Sequence, residues 1–414
     1  MTVASLPVLP RERIHSLDVL RGFAVLGILV MNIQSYSMIG AAYLNPTALG
    51  PLSRADWLAW LAGHVFADRK FVSIFSMLFG AGIVIFTTRA EARGDSPRRL
   101  HYRRMAWLLL IGLAHAYLFW SGDILTAYAL CGMLLYPLRR LPPRRLLLLG
   151  LGAVALCTAF YILSNWSMPF WQPEQIAELE QQHWLPPVDV RNHDTEIFRG
   201  DWLTRVRECF PSTLFYQTAF FLMYTLWRAG GLMLVGMALY KWGVLSAERG
   251  TAFYRRTILA GLFIGIPIIG YGVLRNAQAG WAVRYSFFLG RQFNEWGSIP
   301  LALAYVGAVM LACRANAATW LTSRLAAVGR MAFTNYIMQT LICTTLFYGH
   351  GLGLFGRVSR SQQWGIVVGI WVVQLAYSPW WLTHFRFGPL EWLWRSLTYG
   401  RRQPFRRPAS ATAL

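Results

Sequence analysis

Acidic side chains are scarce in this chain of 414 residues. Only 18 Asp and Glu residues stand against 39 Lys and Arg residues, and charged residues of both signs make up 14% of the sequence, whereas hydrophobic residues make up 56%. Because soluble domains carry about 25% charged residues, this composition excludes an ordinary soluble domain. It indicates a membrane protein that crosses the bilayer several times.

Cysteine is also rare, and its positions follow no metal-binding or disulfide pattern. The five cysteines show no C-x-x-C spacing and lie mostly inside apolar segments, so we expect neither a disulfide framework nor a metal site. The sequence also lacks a phosphate-binding loop, a zinc-hydrolase motif and a G-x-S-x-G nucleophile. Any active site must therefore be assembled from residues on separate helices.

Ten apolar segments are predicted to cross the membrane as helices, which gives an all-α polytopic transmembrane bundle. With both chain ends in the cytoplasm (N-in and C-in), most of the 39 Lys and Arg residues fall in cytoplasmic segments, as the positive-inside rule requires. Membrane anchoring therefore explains the basic excess, and no nucleic-acid partner is expected. The predicted spans are residues 22–43, 71–88, 105–120, 124–138, 146–165, 229–245, 257–274, 297–313, 331–348 and 364–382.

The chain is predicted to form a single transmembrane bundle over residues 1–399. Residues 166–208 are the only sizeable polar insert and are expected to form an extracytoplasmic cap. Residues 209–228 allow one long tilted helix, an interfacial helix followed by a span, or two separate spans. The basic loops after residue 240 favour the first two arrangements. Residues 400–414 are expected to be a disordered cytoplasmic tail.

The first apolar helix carries an unusual polar stripe. At about 100° per residue, Asp18, Arg21, Val25, Ile28 and Asn32 stack within roughly a quarter turn. Polar groups in a spanning segment are costly and usually face a bundle interior or a wet cavity. Asp18 and Arg21 could form an anchoring ion pair or hold an anionic ligand, and Asn32 could hold a neighbouring helix or orient a carbonyl oxygen.

Two histidines are candidates for a general base. His64 follows Trp57 and Trp60 at helical spacing, which is typical of an interfacial aromatic belt but also places a titratable group near the membrane. His115 lies in the third predicted span, about a turn and a half before the hairpin turn that ends at Asp123. Asp123 has an ordinary role available as the cap of the following helix, but a His with a nearby acid could also move protons.

Amides occupy the last two predicted spans. Asn335 and Gln339 share one helix face, and Gln374 adds a polar group to the next span. These side chains could join helices or line a path for a substrate, and the sequence leaves both interpretations open. Arg228 and Glu295 are further isolated charges in apolar surroundings.

Five segments of the chain together resemble the YeiB-like bacterial membrane family, a group with a domain of unknown function. The segments are RIHSLDVLRGFAVLGILVMNIQSY, KFVSIFSMLFGAG, GLAHAYLFWSGDILTAYALCG, GRMAFTNYIMQTLICTTLFYGHGLGLFG and RFGPLEWLWRSLTYGRRQP. The opening LDVLRG also resembles the start of the transmembrane acyltransferase superfamily. That resemblance implies a helical bundle that takes an acyl group from a cytoplasmic acyl-CoA thioester, with Asp18 and Arg21 at the cytoplasmic end of the site.

The leading hypothesis is therefore an acyltransferase-like protein that delivers the acyl group to an extracytoplasmic or small-molecule acceptor. Asn32 would orient the thioester or the acceptor, and His64 or His115, with Asp123 near the latter, would remove the acceptor proton. The alternative is a transporter of a small metabolite, with Asn335, Gln339 and Gln374 lining its path. The expected location is the bacterial cytoplasmic (inner) membrane. The lipid bilayer and a small-molecule substrate are the expected partners, with assembly into a homo-oligomer left open.

Overall fold

Helices form nearly all of the regular structure in residues 13–407, the part of the chain that this computed structural model describes. No strand occurs in that range, where β pairing is limited to one bridge between Phe385 and Arg406. The all-α prediction is therefore confirmed. The helices are α1 (His15–Ser37), α2 (Gly40–Leu44), α3 (Arg54–Phe66), α4 (Lys70–Ala92), α5 (Pro97–Leu118), α6 (Leu125–Leu135), α7 (Pro143–Ser167), α8 (Pro173–His183), α9 (Val188–Arg199), α10 (Trp202–Gln217), α11 (Leu226–Lys241), α12 (Thr251–Gln278), α13 (Val283–Ser286), α14 (Gln292–Arg314), α15 (Thr319–Arg330), α16 (Ala332–Phe347), α17 (Arg360–His384) and α18 (Pro389–Tyr399).

Several helices begin where local sequence signals place them. Ser53, Ser96 and Ser359 each accept a hydrogen bond from the backbone N–H three positions on, and so cap the starts of α3, α5 and α17. Pro97 takes the first position of α5, where its missing N–H is not needed. These caps fix where the helices enter the bundle.

Seven helical segments within the described range are long and apolar enough to cross a membrane. The other three predicted spans, residues 105–120, 124–138 and 331–348, correspond to α5, α6 and α16, which are shorter or more polar than that limit. The seven segments are His15–Ser37, Arg54–Ala92, Pro143–Phe170, Trp202–Lys241, Thr251–Gln278, Gln292–Arg314 and Arg360–His384.

Helix α1 lies inside the bundle rather than at its edge. In its most apolar stretch 78% of the residues are buried, and the helix packs against α4, α14, α15, α16 and α17. At Gly22 a Cβ atom would lie 1.9 Å from the carbonyl oxygen of Leu325, so only glycine permits this approach of α1 to α15. Most side chains of α1 therefore contact protein.

The polar insert folds onto the loops of the bundle. The Trp184 indole donates a hydrogen bond to the Trp281 carbonyl oxygen (2.6 Å), and the Asn45 amide donates one to the Trp184 carbonyl oxygen (3.1 Å). The Gly349 N–H donates to the Phe198 carbonyl oxygen at 2.9 Å. The insert thus connects the loops that follow α2, α12 and α16.

Beyond the insert the chain runs almost unbroken from Trp202 to Lys241. Helices α10 and α11 are joined through a π-helix at Phe221–Thr225, and Pro211 lies inside α10. Of the arrangements that the sequence allowed for residues 209–228, the structure adopts the long, locally irregular helix. Two separate spans do not form.

The structure differs from the expectation of a disordered tail at residues 400–407. The Arg386 N–H donates to the Phe405 carbonyl oxygen at 2.9 Å, and the Trp392 indole donates to the Gln403 carbonyl oxygen at 2.8 Å. Aromatic stacking of Phe405 on Phe385 and Trp392 accompanies these bonds. The polar, basic composition of residues 400–407 gave no sign of these contacts, because they depend on a few individual side chains. Residues 408–414 lie outside the described range.

Candidate functional site

A cavity of about 330 Å³ lies between α1, α4, α5, α6, α16 and α18. This volume falls within the range of about 300–1,000 Å³ that small-molecule sites occupy. One part of its wall is almost entirely apolar and aromatic. That part is lined by Phe75, Leu78, Phe79, Leu108, Ile124, Leu125, Tyr128 and Tyr336.

The remaining part of the wall is rich in arginine. Seven arginines line it, whereas Asp18 and Glu391 supply the only carboxylates among the described lining residues. The cavity therefore joins an apolar chamber to a strongly cationic one. The seven are Arg13, Arg21, Arg89, Arg93, Arg104, Arg330 and Arg395.

Both carboxylates already have partners. Asp18 pairs with Arg21 at 2.8 Å. Glu391 accepts hydrogen bonds from the backbone N–H groups of Phe333 (2.7 Å) and Thr334 (3.0 Å) and from the Thr334 hydroxyl (2.6 Å). These donors belong to the first turn of α16, so Glu391 caps that helix from α18. The lining therefore keeps an excess of positive charge, although Arg93 also pairs with Asp95 at 3.4 Å.

Arg330 and Arg395 show this excess most clearly. Neither guanidinium donates a hydrogen bond to any residue within 13–407, and Nε of Arg330 is buried without a partner. Burial and, to a smaller extent, the nearby charge of Arg13 together lower the pKa of Arg330 to about 10. Burial also lowers the pKa of Arg395. An anion in the cavity would relieve this repulsion and supply the missing acceptors.

A second polar group lies beside the apolar part of the cavity. Nδ1 of His115 is 2.7 Å from Oδ1 of Asp123, and both side chains are almost completely buried. The other oxygen of Asp123 accepts the Thr126 N–H at 2.8 Å. Nε2 of His115 lies 3.0 Å from the hydroxyl of Thr340, which is 2.6 Å from the hydroxyl of Tyr36. Asp123 thus both caps α6 and orients His115.

Tyr336 connects this network to the cavity. Its ring lies 5.5 Å from that of His115, and its hydroxyl accepts the backbone N–H of Ile124 at 3.4 Å. Since Tyr336 and Ile124 both line the cavity, one tyrosine side chain separates His115 from the void. The Tyr336 hydroxyl proton is not used in that hydrogen bond and remains available to a ligand.

The structure separates the residues that the sequence singled out. Asp18 and Arg21 line the cavity, but Asn32 and His64 do not. The side-chain amide of Asn32 makes no hydrogen bond within residues 13–407. His64 stacks on Trp60, with ring centroids 4.9 Å apart, and its Nδ1 lies 3.3 Å from a carboxylate oxygen of Asp68.

The three predicted amides form one interhelical network. Gln339 donates to Gln374 at 2.9 Å and to the Val25 carbonyl oxygen at 3.2 Å, and Gln374 donates to the Asn335 carbonyl oxygen at 2.9 Å. Asn335 donates to the Ser378 hydroxyl at 3.0 Å. All three amides are buried away from the cavity. They join α1, α16 and α17.

A third polar group is a buried ion cluster between α4, α11 and α14. Glu295 pairs with Arg69 and, at 2.8 Å, with Arg228, and it accepts the Tyr224 hydroxyl at 2.8 Å. Lys70 donates to Asn294 at 2.6 Å. None of these side chains lines the cavity. The cluster contains the two isolated charges, Arg228 and Glu295, that the sequence left unexplained.

Sequence reasoning missed most of the cavity arginines and the connecting tyrosine. Arg13, Arg104, Arg330 and Arg395 were assigned to cytoplasmic anchoring, which explains their number but not their convergence. Tyr336 follows Asn335 and precedes Ile337, and a single tyrosine in an apolar helix does not by itself indicate a binding site. The one available signal was that basic residues flank both the first predicted span and the ninth.

Comparisons with known proteins found relatives that match nearly the whole length of the chain. A family model described as "Protein of unknown function (DUF418)" matches residues 239–401. The chain is 34% identical to "Uncharacterized protein YeiB" of Escherichia coli (strain K12) over 396 residues, which cover 94% of this chain and 96% of that protein. No solved structure matches.

Two further relatives come from Bacillus. The chain is 33% identical to "Uncharacterized protein YxaH" of Bacillus subtilis (strain 168), with 96% of this chain and 97% of that protein covered. It is 30% identical to an "Uncharacterized 39.9 kDa protein in amylase 3'region" of Bacillus acidopullulyticus, with the same coverage. Similarity at this level over nearly the whole length establishes that the chain belongs to the DUF418 family of YeiB-like proteins.

Proposed function

We propose that this protein is a membrane-embedded acyltransferase that takes an acyl group from a CoA thioester bound in the arginine-lined cavity. The observation that carries the proposal is the position of the His115–Asp123 pair directly behind Tyr336, at the apolar part of that cavity. In this arrangement the phosphate groups of CoA would bind in the arginine-rich part of the cavity and the acyl group would lie in the apolar part. His115 would act as the general base behind Tyr336. The proposed location is the bacterial cytoplasmic (inner) membrane.

The arginines suit the charged end of such a donor. CoA carries several phosphate groups, and guanidinium groups bind phosphate oxygens through paired, charge-assisted hydrogen bonds. The guanidinium N–H groups of Arg330 and Arg395 donate no hydrogen bond to a residue within 13–407 and could therefore bind a phosphate group. Arg21 is held by Asp18 and by the Gly329 carbonyl oxygen at 3.5 Å, so its position is fixed in advance.

In the proposed reaction an acceptor hydroxyl or amine attacks the thioester carbonyl carbon. His115 removes the proton of the attacking group, and Asp123 holds the imidazole in the required tautomer. The Tyr336 hydroxyl donates a hydrogen bond to the carbonyl oxygen as negative charge develops there. The carbon–sulfur bond then breaks, and the CoA thiolate leaves and takes up a proton. His115 must shift away from Thr340 to reach the acceptor.

The proposal is tested with purified protein in nanodiscs supplied with acetyl-CoA and a lipid extract of the bacterial envelope. Release of free CoA and transfer of radiolabelled acetyl groups are measured by chromatography. A positioned base contributes about 10²- to 10⁴-fold in rate, so His115→Gln should lower turnover by that factor. The dissociation constant for acetyl-CoA should change less than about twofold, because His115 does not line the cavity.

Two matched variants complete the test. Asp123→Asn should reduce turnover nearly as much as His115→Gln, since it removes the group that orients the base. His193→Gln, at an exposed position on α9, should leave turnover unchanged. Absence of acetyl-CoA binding at millimolar concentration, or equal turnover in the His115 and His193 variants, would refute the proposal.

Transport is the second candidate, and the geometry supports it less. The amides expected to line a path, Asn335, Gln339 and Gln374, are hydrogen-bonded to one another and to backbone groups away from the cavity. A transporter would move a solute into vesicles without changing it chemically. An acyl-modified product that requires His115 would argue against this alternative.

A further inference from the structure

The cavity is long for its volume. Helix α4 and its C-cap residue Arg93 line it from Phe75 to Arg93, a distance of 18 residue steps or about 27 Å along the helix axis. The Phe75 ring lies 5.8 Å from that of Tyr128 in the apolar part, whereas Arg93 and Arg395 line the arginine-rich part. A ligand that contacts both ends of this wall must itself be extended, with one anionic end and one apolar end.

Gly82 lies between these two ends of α4, and helix packing does not explain it. A Cβ atom at Gly82 would meet no atom within 4 Å, although Gly82 lines the cavity. Gly80, by contrast, would place a Cβ 1.9 Å from the Met233 carbonyl oxygen, and so serves the contact between α4 and α11. Glycine inside a helix costs about 1 kcal/mol relative to alanine. The absence of a side chain at Gly82 therefore has one local consequence, which is more open space in the cavity.

We propose that Gly82 keeps the cavity open for the apolar arm of a phosphorylated amphiphile, and that the side chain at this position sets how long an arm the site accepts. The proposal deepens the proposed function, because the cavity is the donor site, but it does not depend on any chemical step. The ligand class follows from the wall itself. Seven arginines select a polyanionic head, and the aromatic and aliphatic part selects an unbranched apolar arm.

Two sources can supply this chemistry: a CoA thioester, or a phospholipid of the surrounding bilayer. Each is represented by a head group alone and by the same head with an arm. The probes are adenosine 3′,5′-bisphosphate, CoA and octanoyl-CoA for the first source, and glycerol 3-phosphate and octanoyl lysophosphatidic acid for the second. Binding is measured by calorimetry on the full chain in nanodiscs of phosphatidylcholine.

In the wild type, affinity should rise at least about tenfold from a head group to the same head with an arm, since burial of a few methylene groups suffices for that change. Gly82→Leu should remove most of this rise and leave head-group affinity within twofold. Gly82→Ala should give an intermediate loss. Gly152→Leu is the matched control, because Gly152 on α7 is exposed and also meets no atom within 4 Å.

The outcomes separate this inference from the proposed function. Arm-dependent binding of the phospholipid probes alone, lost in Gly82→Leu, supports the inference and refutes the CoA donor. Arm-dependent binding of the CoA series, lost in Gly82→Leu, supports the inference even where acetyl transfer is not observed. The inference is overturned if the wild-type affinity does not rise when the arm is added. It is also overturned if Gly82→Leu and Gly152→Leu change this rise equally. Thermal unfolding of each variant verifies that it is folded.

Discussion

The bundle contains two concentrations of charge that follow opposite rules. In the ion cluster of Arg69, Arg228 and Glu295, each charged side chain contacts a charge of opposite sign, and none of the three lines the cavity. Around the cavity, seven arginines line the wall beside only two described carboxylates, and the guanidinium groups of Arg330 and Arg395 donate no hydrogen bond to a residue within 13–407. The first arrangement satisfies charge internally, whereas the second leaves it available to a ligand.

The difference shows that an ionisable side chain inside a membrane bundle does not by itself indicate a binding site. A buried ion pair recovers its desolvation cost only when geometry and further hydrogen bonds are favourable, as they are where Tyr224 also donates to Glu295. Excess charge beside an empty volume has no such compensation. The combination of unmatched charge and open space is therefore the better indicator of function, and four paired comparisons of variants test it.

The largest effect is expected from Glu295→Ala. Removing this carboxylate leaves Arg69 and Arg228 buried without their partner, which typically costs about 3–5 kcal/mol. We expect a large fall in unfolding temperature, measured by tryptophan fluorescence in nanodiscs, with little change in the affinity of the folded fraction for CoA. Glu91→Ala is the control, since Glu91 pairs with Arg139 and Arg140 but is 38% exposed, so it should cost at most about 1 kcal/mol. Equal effects of the two variants would contradict the comparison.

Two glycines on α4 sharpen the comparison at the level of packing. Gly80→Ala forces a Cβ against the Met233 carbonyl oxygen and should cost about 1–3 kcal/mol of stability. Gly82→Ala faces the open cavity and should stabilise the helix by up to about 1 kcal/mol. Chemical unfolding of both variants in the same detergent measures the difference. A loss of stability in Gly82→Ala as large as in Gly80→Ala would show that the cavity wall is packed.

A smaller effect, confined to binding, is expected from Arg330→Gln. Loss of one charge-assisted contact should weaken CoA binding about tenfold, while stability stays constant or rises because repulsion from Arg13 disappears. Calorimetry and thermal unfolding on the same preparation separate the two quantities. Arg324→Gln, on the same helix but bonded to the Leu375 carbonyl oxygen, should behave oppositely, with stability reduced and binding retained. Reversal of this pattern would place the anion site elsewhere.

The sequence predicted the helical bundle well because composition and apolar segment length decide it. It also identified Asp18 with Arg21 and His115 with Asp123, which are close in the chain and meet through helix or hairpin geometry. It could not predict that Arg330 and Arg395 line the same cavity as Arg21, because that depends on how α1, α15 and α18 pack. The cavity itself is a property of packing, and no residue type encodes it.

The smallest effect on stability and binding is expected from a substitution of Asn32, which the sequence analysis placed on the polar stripe of α1 together with Arg21. Asn32 lies on the same stripe of α1, yet Val25 and Ile28 between them are buried at 0% and 2% exposure, so packed side chains interrupt the stripe above Arg21. Asn32 lines no part of the cavity, and its side-chain amide makes no hydrogen bond within residues 13–407. Asn32→Ala should therefore change stability by less than about 0.5 kcal/mol and leave CoA affinity and acetyl transfer unchanged in the assays above. Arg21→Ala, the matched change at the other end of the stripe, should weaken CoA binding about tenfold. A strong loss of transfer in Asn32→Ala would mean that the reacting end of the site lies further along α1 than the cavity reaches, and unmatched charge beside open space would then mark only where the donor enters.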